Sequence, residues 1–384
     1  MPQILSADQK ADFVKRGFSR RGFHRIATLL ATGGVLPFYN EQALAQRAIG
    51  RAMPPDAVKI DSNENPMGPC AEAAEAIHAI VPKGGRYLSE EGARMAETLA
   101  EQEGLNAGYV QPFAGSSDPL HHSVVAFCGK DHPYVVADPG YEAGARAAQF
   151  IGAPVINVPL AKFSFTHDVK AMAAAHPSAG LIYLCNPNNP TGTLTSKQDI
   201  EWLVNNKPAG SVVLIDEAYL HFSHAEKSSY LVAADKDVII LRTFSKIYGM
   251  AGLRAGAALG RPDLLRKLSQ YRSTGFVPIT AMAGATASLK SKTAVPERRK
   301  IVADIREETF GFLTKHNIEF IPSQANMFMM NVKRSGRDFH DAMAREKVYI
   351  GRIWPVWPNW VRVTVGTREE MAKFQEACLK CYNA

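Results

Sequence analysis

The chemical capacity of this chain is concentrated in a few residues set beside turns. Lys246 lies in Thr243-Phe244-Ser245-Lys246-Ile247-Tyr248-Gly249-Met250-Ala251-Gly252-Leu253-Arg254. A lysine amine becomes a nucleophile when its ammonium pKa falls, and a dry pocket with a neighbouring cation such as Arg254 lowers it. Thr243, Ser245 and Arg254 bring two hydroxyls and a guanidinium to a glycine-rich turn. Such a set grips a phosphate and leaves the amine available. Asp216 follows an apolar run, so its carboxylate is expected to be partly buried and to need a cationic partner. Tyr219 stands three residues further on. Asn189, in Asn186-Pro187-Asn188-Asn189-Pro190, offers an amide from a proline-flanked turn. Ser116 and Ser117 open a helical stretch, and helix N-termini attract phosphate.

These residues share a structural address. Short apolar runs at Tyr109–Phe113, Tyr134–Ala137, Leu181–Cys185, Val212–Ile215 and Val238–Leu241 alternate with helical stretches, and each run ends at one of the groups above or at Asp138-Pro139-Gly140-Tyr141. Apolar strands separated by helices predict an α/β domain whose mostly parallel sheet is covered on both faces, with ligands gathered at the carboxyl ends of the strands. The final third predicts a smaller α+β unit: a charged helix over Pro296–Lys315, strands near Glu319–Ile321, Met327–Val332 and Trp360–Val365, and a last helix.

The first 45 residues are of another kind. Ser19-Arg20-Arg21-Gly22-Phe23-His24-Arg25 is similar to a twin-arginine export signal, and it is followed by a modest apolar stretch to Phe38 and by Ala43-Leu44-Ala45, a small-x-small cleavage pattern. Cleavage after Ala45 and a periplasmic or exported destination are the expectation; an N-terminal helix of a cytoplasmic enzyme is the alternative. The remaining chain would carry 38 Lys/Arg against 34 Asp/Glu, too small an excess to imply a polyanionic partner. The whole chain of 384 residues has a net charge of +7 without a basic stripe, which argues against nucleic-acid binding. No apolar run approaches the ~20 residues of a membrane span. Five cysteines do not form a disulfide framework, and the eleven histidines show no metal-ligand spacing.

Four ordered motifs carry a resemblance: Asn186-Pro187-Asn188-Asn189-Pro190-Thr191-Gly192, Asp216-Glu217-Ala218-Tyr219, Ser245-Lys246 through Gly252-Leu253-Arg254, and Val361-Arg362-Val363-Thr364-Val365-Gly366-Thr367. From about residue 58 onward the chain resembles the fold-type I pyridoxal-phosphate aminotransferases, within them the histidinol-phosphate aminotransferase group. Asp61-Ser62-Asn63-Glu64-Asn65-Pro66 fits the same group. The resemblance implies an aspartate aminotransferase-like fold, with a seven-stranded type of sheet in the large domain. It also implies pyridoxal 5'-phosphate as cofactor, two half-reactions at one site and a homodimer with shared active sites. Lys246 would carry the cofactor and then move the substrate proton. Asp216 would pair with the pyridine nitrogen, and Tyr219 and Asn189 with the ring hydroxyl. Tyr141 would stack on the ring. Ser116, Ser117, Thr243, Ser245 and Arg254 would hold the phosphate, joined by Tyr87 from the neighbouring subunit. Arg362 would bind the substrate's acidic end, with Arg352 and Asn326 lining the substrate pocket. No metal is implied.

The implied division is a signal peptide over 1–45, an N-terminal segment over 46–85 joining the small domain, a large cofactor-binding domain over 86–290 and a small domain over 291–384. A decarboxylase or an oxygen-using oxidase on the same scaffold would share the cofactor residues, and a non-catalytic ligand sensor would not need Lys246, Asp216, Tyr219 and Arg254 together. The stretch Gly351-Arg352-Ile353-Trp354-Pro355-Val356-Trp357-Pro358-Asn359-Trp360 departs from the group's polar pattern. Its tryptophans either wall the substrate pocket or pack the hinge between domains. Cys378 and Cys381, a C-x-x-C in the last helix, read as ordinary helix residues.

Overall fold

The computed structural model describes residues 7–18, 53–271 and 277–382. Twelve strands fall within them: β1 (Val58–Ile60), β2 (Val110–Phe113), β3 (Tyr134–Asp138), β4 (Val155–Pro159), β5 (Leu181–Cys185), β6 (Val212–Asp216), β7 (Val238–Thr243), β8 (Gly256–Gly260), β9 (Phe320–Ile321), β10 (Met327–Asn331), β11 (Val348–Ile350) and β12 (Trp360–Thr364). Seven form one sheet in the order β2-β8-β7-β6-β5-β3-β4. Strands β4, β3, β5, β6 and β7 are parallel, and β8 runs against both of its neighbours. Every residue of β5, β6 and β7 is buried, because helices cover both faces, and this is why those segments read as unbroken apolar runs. The fold is the expected α/β arrangement. The sequence reading passes over β8, whose Gly-Ala-Ala-Leu-Gly has no β-branched residue, and over the edge strand β4, which ends in proline.

The smaller unit has an antiparallel sheet ordered β12-β10-β9. The separate pair β1–β11 is parallel and ties residues 58–60 to the C-terminal part of the chain. The Ala71–Ile80 helix packs instead against the Ile279–Lys290 helix, with Gly284 lying under Ile77.

Of the expected leader, the twin-arginine motif and the cleavage site lie outside the described residues. The segment before them is folded: an Ala7–Lys15 helix precedes Arg16, whose guanidinium donates to the carbonyls of Val125 and Cys128 (2.8 Å to Cys128) at the end of the Ser117–Phe127 helix. Among the described residues no helix is long and apolar enough to cross a membrane. Cys378 and Cys381 are buried on the inner face of the last helix, and burial pushes the Cys378 thiol up to about 12, so it is no nucleophile.

Candidate active site

The carboxyl ends of β5, β6 and β7 form a shelf, and the loops leaving them line a cavity of about 270 Å³. Asp216 is the last residue of β6. Its Oδ2 accepts from Tyr183 Oη on β5 at 2.9 Å and its Oδ1 from the Ala218 amide at 3.1 Å. Burial raises its carboxyl to about 6 against those two hydrogen bonds, which pull the other way. The carboxylate is thus placed where it holds a proton, or a hydrogen bond from a cationic ring, unusually well.

Lys246 follows β7 and is buried, with Nζ donating to Ser62 O at 3.2 Å and lying 5.5 Å from the centre of the Tyr219 ring. The Tyr219 hydroxyl accepts from Asn63 Nδ2 at 3.0 Å and from Asn189 Nδ2 at 3.4 Å. Asn189 Oδ1 in turn accepts from Arg362 Nη1 at 2.9 Å. A chain of hydrogen bonds therefore runs from β12 in the smaller unit to the phenol beside the lysine.

The other end of the cavity is a cradle for an anion. Arg254 Nη1 reaches Ser245 Oγ at 3.4 Å, and Ser245 is bonded to Thr243 through both its hydroxyl (3.0 Å) and its amide (3.1 Å). Arg254 holds a left-handed backbone, φ 62°, which an arginine adopts only under tertiary constraint. Its Nη2 lies where a Cβ on Gly115 would come within 2.2 Å, and Gly115 itself has φ 90°. Only glycine meets both demands. The Ser117–Phe127 helix opens toward this cradle with no side-chain cap, leaving its amides and the Ser116 and Ser117 hydroxyls for an incoming anion.

Of the residues expected from sequence, Ser116, Ser117, Tyr141, Asn189, Asp216, Tyr219, Thr243, Ser245, Lys246 and Arg254 line this one cavity. Arg362 and Asn326 stand just behind it. Arg362 is fully buried, and Asn326 Nδ2 donates to the carbonyls of Asn63 (3.3 Å) and Glu64 (3.4 Å) while its Oδ1 is buried with no hydrogen-bond partner among the described residues. Two residues stand elsewhere. Tyr87 is 74% exposed and outside the cavity of its own chain. Arg352 does not line the cavity either: Glu142 holds its guanidinium, at 2.7 Å from Nη2, on the far side of Tyr141.

The tryptophan stretch packs the seam between the two units. Trp354 is buried and donates from Nε1 to Gly140 O at 2.8 Å, while Trp357 and Trp360 lie 5.6 and 6.4 Å from the Phe165 ring. None of the three lines the cavity at Lys246. Three residues of the site were not singled out as such from sequence: Asn63, Tyr183 and Ser62. Asn63 sits in the Asp61–Pro66 motif, a usable signal. Tyr183 lies inside an apolar run and looks like core until β5 and β6 are paired.

A buried amine and a buried carboxylate on one cavity, beside two hydroxyls and a guanidinium arranged for an anion, are the equipment of an enzyme that holds a phosphorylated carbonyl compound. Residues 55–377 match the family model for aminotransferase class I and II. A histidinol-phosphate aminotransferase of Moorella thermoacetica is 32% identical over 335 residues, covering 84% of each chain. An aromatic amino acid aminotransferase of Cutibacterium acnes is 32% identical over 327 residues, 84% of this chain and 92% of that one. The fold matches a histidinol-phosphate aminotransferase from Sinorhizobium meliloti, solved in complex with pyridoxal-5'-phosphate, with a TM-score of 0.80 at 24% identity, over 96% of this chain and 99% of that one. The chain belongs to the class I and II aminotransferases.

Proposed function

We propose that the chain is a pyridoxal-phosphate-dependent transaminase, moving an amino group from an amino acid or a histidinol-phosphate-like amine to a 2-oxo acid in two half-reactions at the Lys246 cavity. The convergence of Lys246 Nζ, Asp216 and the Thr243–Ser245–Arg254 cradle on one cavity carries this reading. The residues fit the cofactor: the missing Cβ at position 115 lets the Arg254 guanidinium lie beside Ser245 in the cradle, and Asp216 lines the same cavity as a partner for a ring nitrogen. When bound, pyridoxal phosphate supplies a carbonyl that takes up the amino group and a ring that draws electrons from the adjacent carbon.

The chain's own groups do the rest. Arg254, Ser245, Thr243, Ser116 and Ser117 hold the phosphate. Asp216 would keep a proton on the ring nitrogen through its negative charge, which the Tyr183 hydroxyl and the Ala218 amide stabilise. Tyr219 and Asn189 hydrogen-bond the ring hydroxyl, and Tyr141 covers a ring face. Lys246 would anchor the cofactor and then take and return the proton at the donor's α-carbon, its Nζ held at the cavity by Ser62 O. Arg362 is the fork for the donor's acidic end, with Asn326 bracing the loop beside it.

The purified full chain is expected to show the visible absorbance of a lysine-bound cofactor. An effective donor bleaches that band as a keto product forms, and Lys246→Ala abolishes both while leaving the circular dichroism intact. Release of carbon dioxide, or product only in the presence of oxygen, would instead identify a decarboxylase or an oxidase.

The same proposal makes the enzyme a homodimer in which Tyr87 serves the neighbouring subunit, supported by the exposure of that tyrosine outside its own cavity. It also makes residues 1–45 a leader for twin-arginine export to the periplasm, a reading that rests on the Ser19–Arg25 and Ala43–Ala45 patterns and must release the contacts of Arg16 with Val125 and Cys128. Native mass spectrometry of the periplasmic protein reads both points: the expected species is a dimer of chains starting at Gln46, and a monomer or an intact N-terminus would refute the corresponding point.

A further inference from the structure

The wall behind Tyr141 is a cross-domain ion pair. Arg352, on the loop between β11 and β12, has a side chain only 1% exposed, and its fork meets Glu142 with Nη2 at 2.7 Å and Nε at 3.4 Å from the two carboxylate oxygens. Glu142 comes directly after Tyr141, from the other unit. The guanidinium lies 4.9 Å from the centre of the Trp354 ring and 6.0 Å from that of Tyr141, which lines the Lys246 cavity on one side and a second cavity, of about 700 Å³, on the other. Asp138 adds a further carboxyl to this arm, one that burial and the neighbouring Glu142 charge both push up. A donor tail extending past Tyr141 into this second cavity therefore meets the Tyr141 and Trp354 rings and the Glu142 carboxylate, with the Arg352 cation, which lines neither cavity, held behind that carboxylate.

We infer that Glu142 is a positioning residue that selects the donor by occupying Arg352, so that the enzyme disfavours donors with an anionic tail, a phosphomonoester or a second carboxylate, and favours uncharged, aromatic tails. The inference rests on the transaminase reading. A phosphate entering this arm must either displace Glu142 from a bidentate contact or sit beside its negative charge, and both cost more than a charge-assisted bond to an unoccupied arginine returns. An aromatic tail asks for neither: it needs only the Tyr141 and Trp354 rings, which a cation already in place polarises.

The test uses the full-length holoenzyme and donors that differ only in the phosphate, histidinol phosphate and histidinol, with phenylalanine as the aromatic reference. Their kcat/KM ratios are compared in the wild type, Glu142→Gln, Glu142→Asp and the double variant Glu142→Gln/Arg352→Gln. The wild type is expected to gain nothing from the phosphate. Glu142→Gln is expected to raise the phosphorylated-to-unphosphorylated ratio about tenfold or more, Glu142→Asp to leave it near the wild-type value, and the double variant to lose the gain. Quenching of tryptophan fluorescence by phenyl phosphate, in Glu142→Gln but not in the wild type, reads the same site without turnover. An unchanged ratio in Glu142→Gln, while phenylalanine still converts, overturns the inference and leaves the transaminase reading standing. A gain that survives in the double variant shows that Arg352 is not the recipient and overturns it too. Failure of every donor in the wild type overturns both.

Discussion

The strand-end shelf and the aromatic seam both bury charge, and they balance it in different ways. Under the shelf, Arg242 on β7 is bonded through Nε and Nη2 to both oxygens of Glu103, at 3.0 and 2.9 Å, and through Nη1 to Glu217, next to Asp216. All three side chains are at most 3% exposed, and all belong to the large unit. At the seam, Arg352 is matched by Glu142 and Arg362 by Asn189, each across the junction between the units. The charge balance under the shelf is therefore closed within one unit, whereas the seam's pairs exist only when the two units are in register. A cofactor platform demands the first kind of construction and a substrate-discriminating wall can use the second, because the wall's charges change partners if the units shift.

Cutting the shelf's balance gives the largest expected effect. Burial alone would raise Glu103, but Arg242 overrides it and holds the carboxyl at about 2. Arg242→Leu leaves two carboxylates buried without their cation and is expected to cost about 3–5 kcal/mol in urea unfolding. A loss below about 1 kcal/mol would mean that water or Lys227 takes over the balance.

Asp216 supplies a pH test of intermediate size on the chain stripped of cofactor. Its folded carboxyl titrates at about 6 against an ordinary 3.8, so the folded chain binds that proton more tightly than the unfolded chain. Its contribution is fully present below about pH 4 and is lost as pH rises through about 6, a difference of about 3 kcal/mol. Asp216→Asn should flatten that part of the stability profile and be relatively more stable near neutrality. If the two profiles run parallel, the carboxylate is better solvated than its burial indicates.

The same contrast explains what the sequence disclosed. Asp216 closes an apolar strand, Asn189 and Lys246 sit a few residues past two others, and Arg254 ends the turn after Lys246, so the chemistry and its support are close in the chain, and both the α/β sheet and the shelf could be read from local pattern. The seam could not. Glu142 meets Arg352 across 210 positions and Asn63 meets Tyr219 across 156, and no spacing rule reaches that far. Tyr183 was hidden for a different reason: in a strand buried on both faces an aromatic looks like packing, and its hydroxyl acquires meaning only from the neighbouring strand. The tryptophan stretch announced a departure without saying whether it faced ligand or protein, since an aromatic cluster serves either.

The smallest effect is the one that separates the regions most cleanly. Trp354→Phe keeps an aromatic ring against Ile321 and Met329 but removes the indole N–H that bonds Gly140 O across the seam. One lost hydrogen bond that leaves a buried carbonyl unmet costs about 1–3 kcal/mol, the lower end applying where water can reach the carbonyl. Gly140 precedes Tyr141, so the loss loosens the loop that carries Tyr141 and Glu142, while the bonds Lys246–Ser62, Asp216–Tyr183 and Arg254–Ser245 are untouched. The expected outcome is a modest drop in melting temperature and a raised KM for the donor, with the cofactor's visible band and its phosphate affinity as in the wild type. A shifted band would show that the seam shapes the shelf after all, and that the two regions are one mechanical unit.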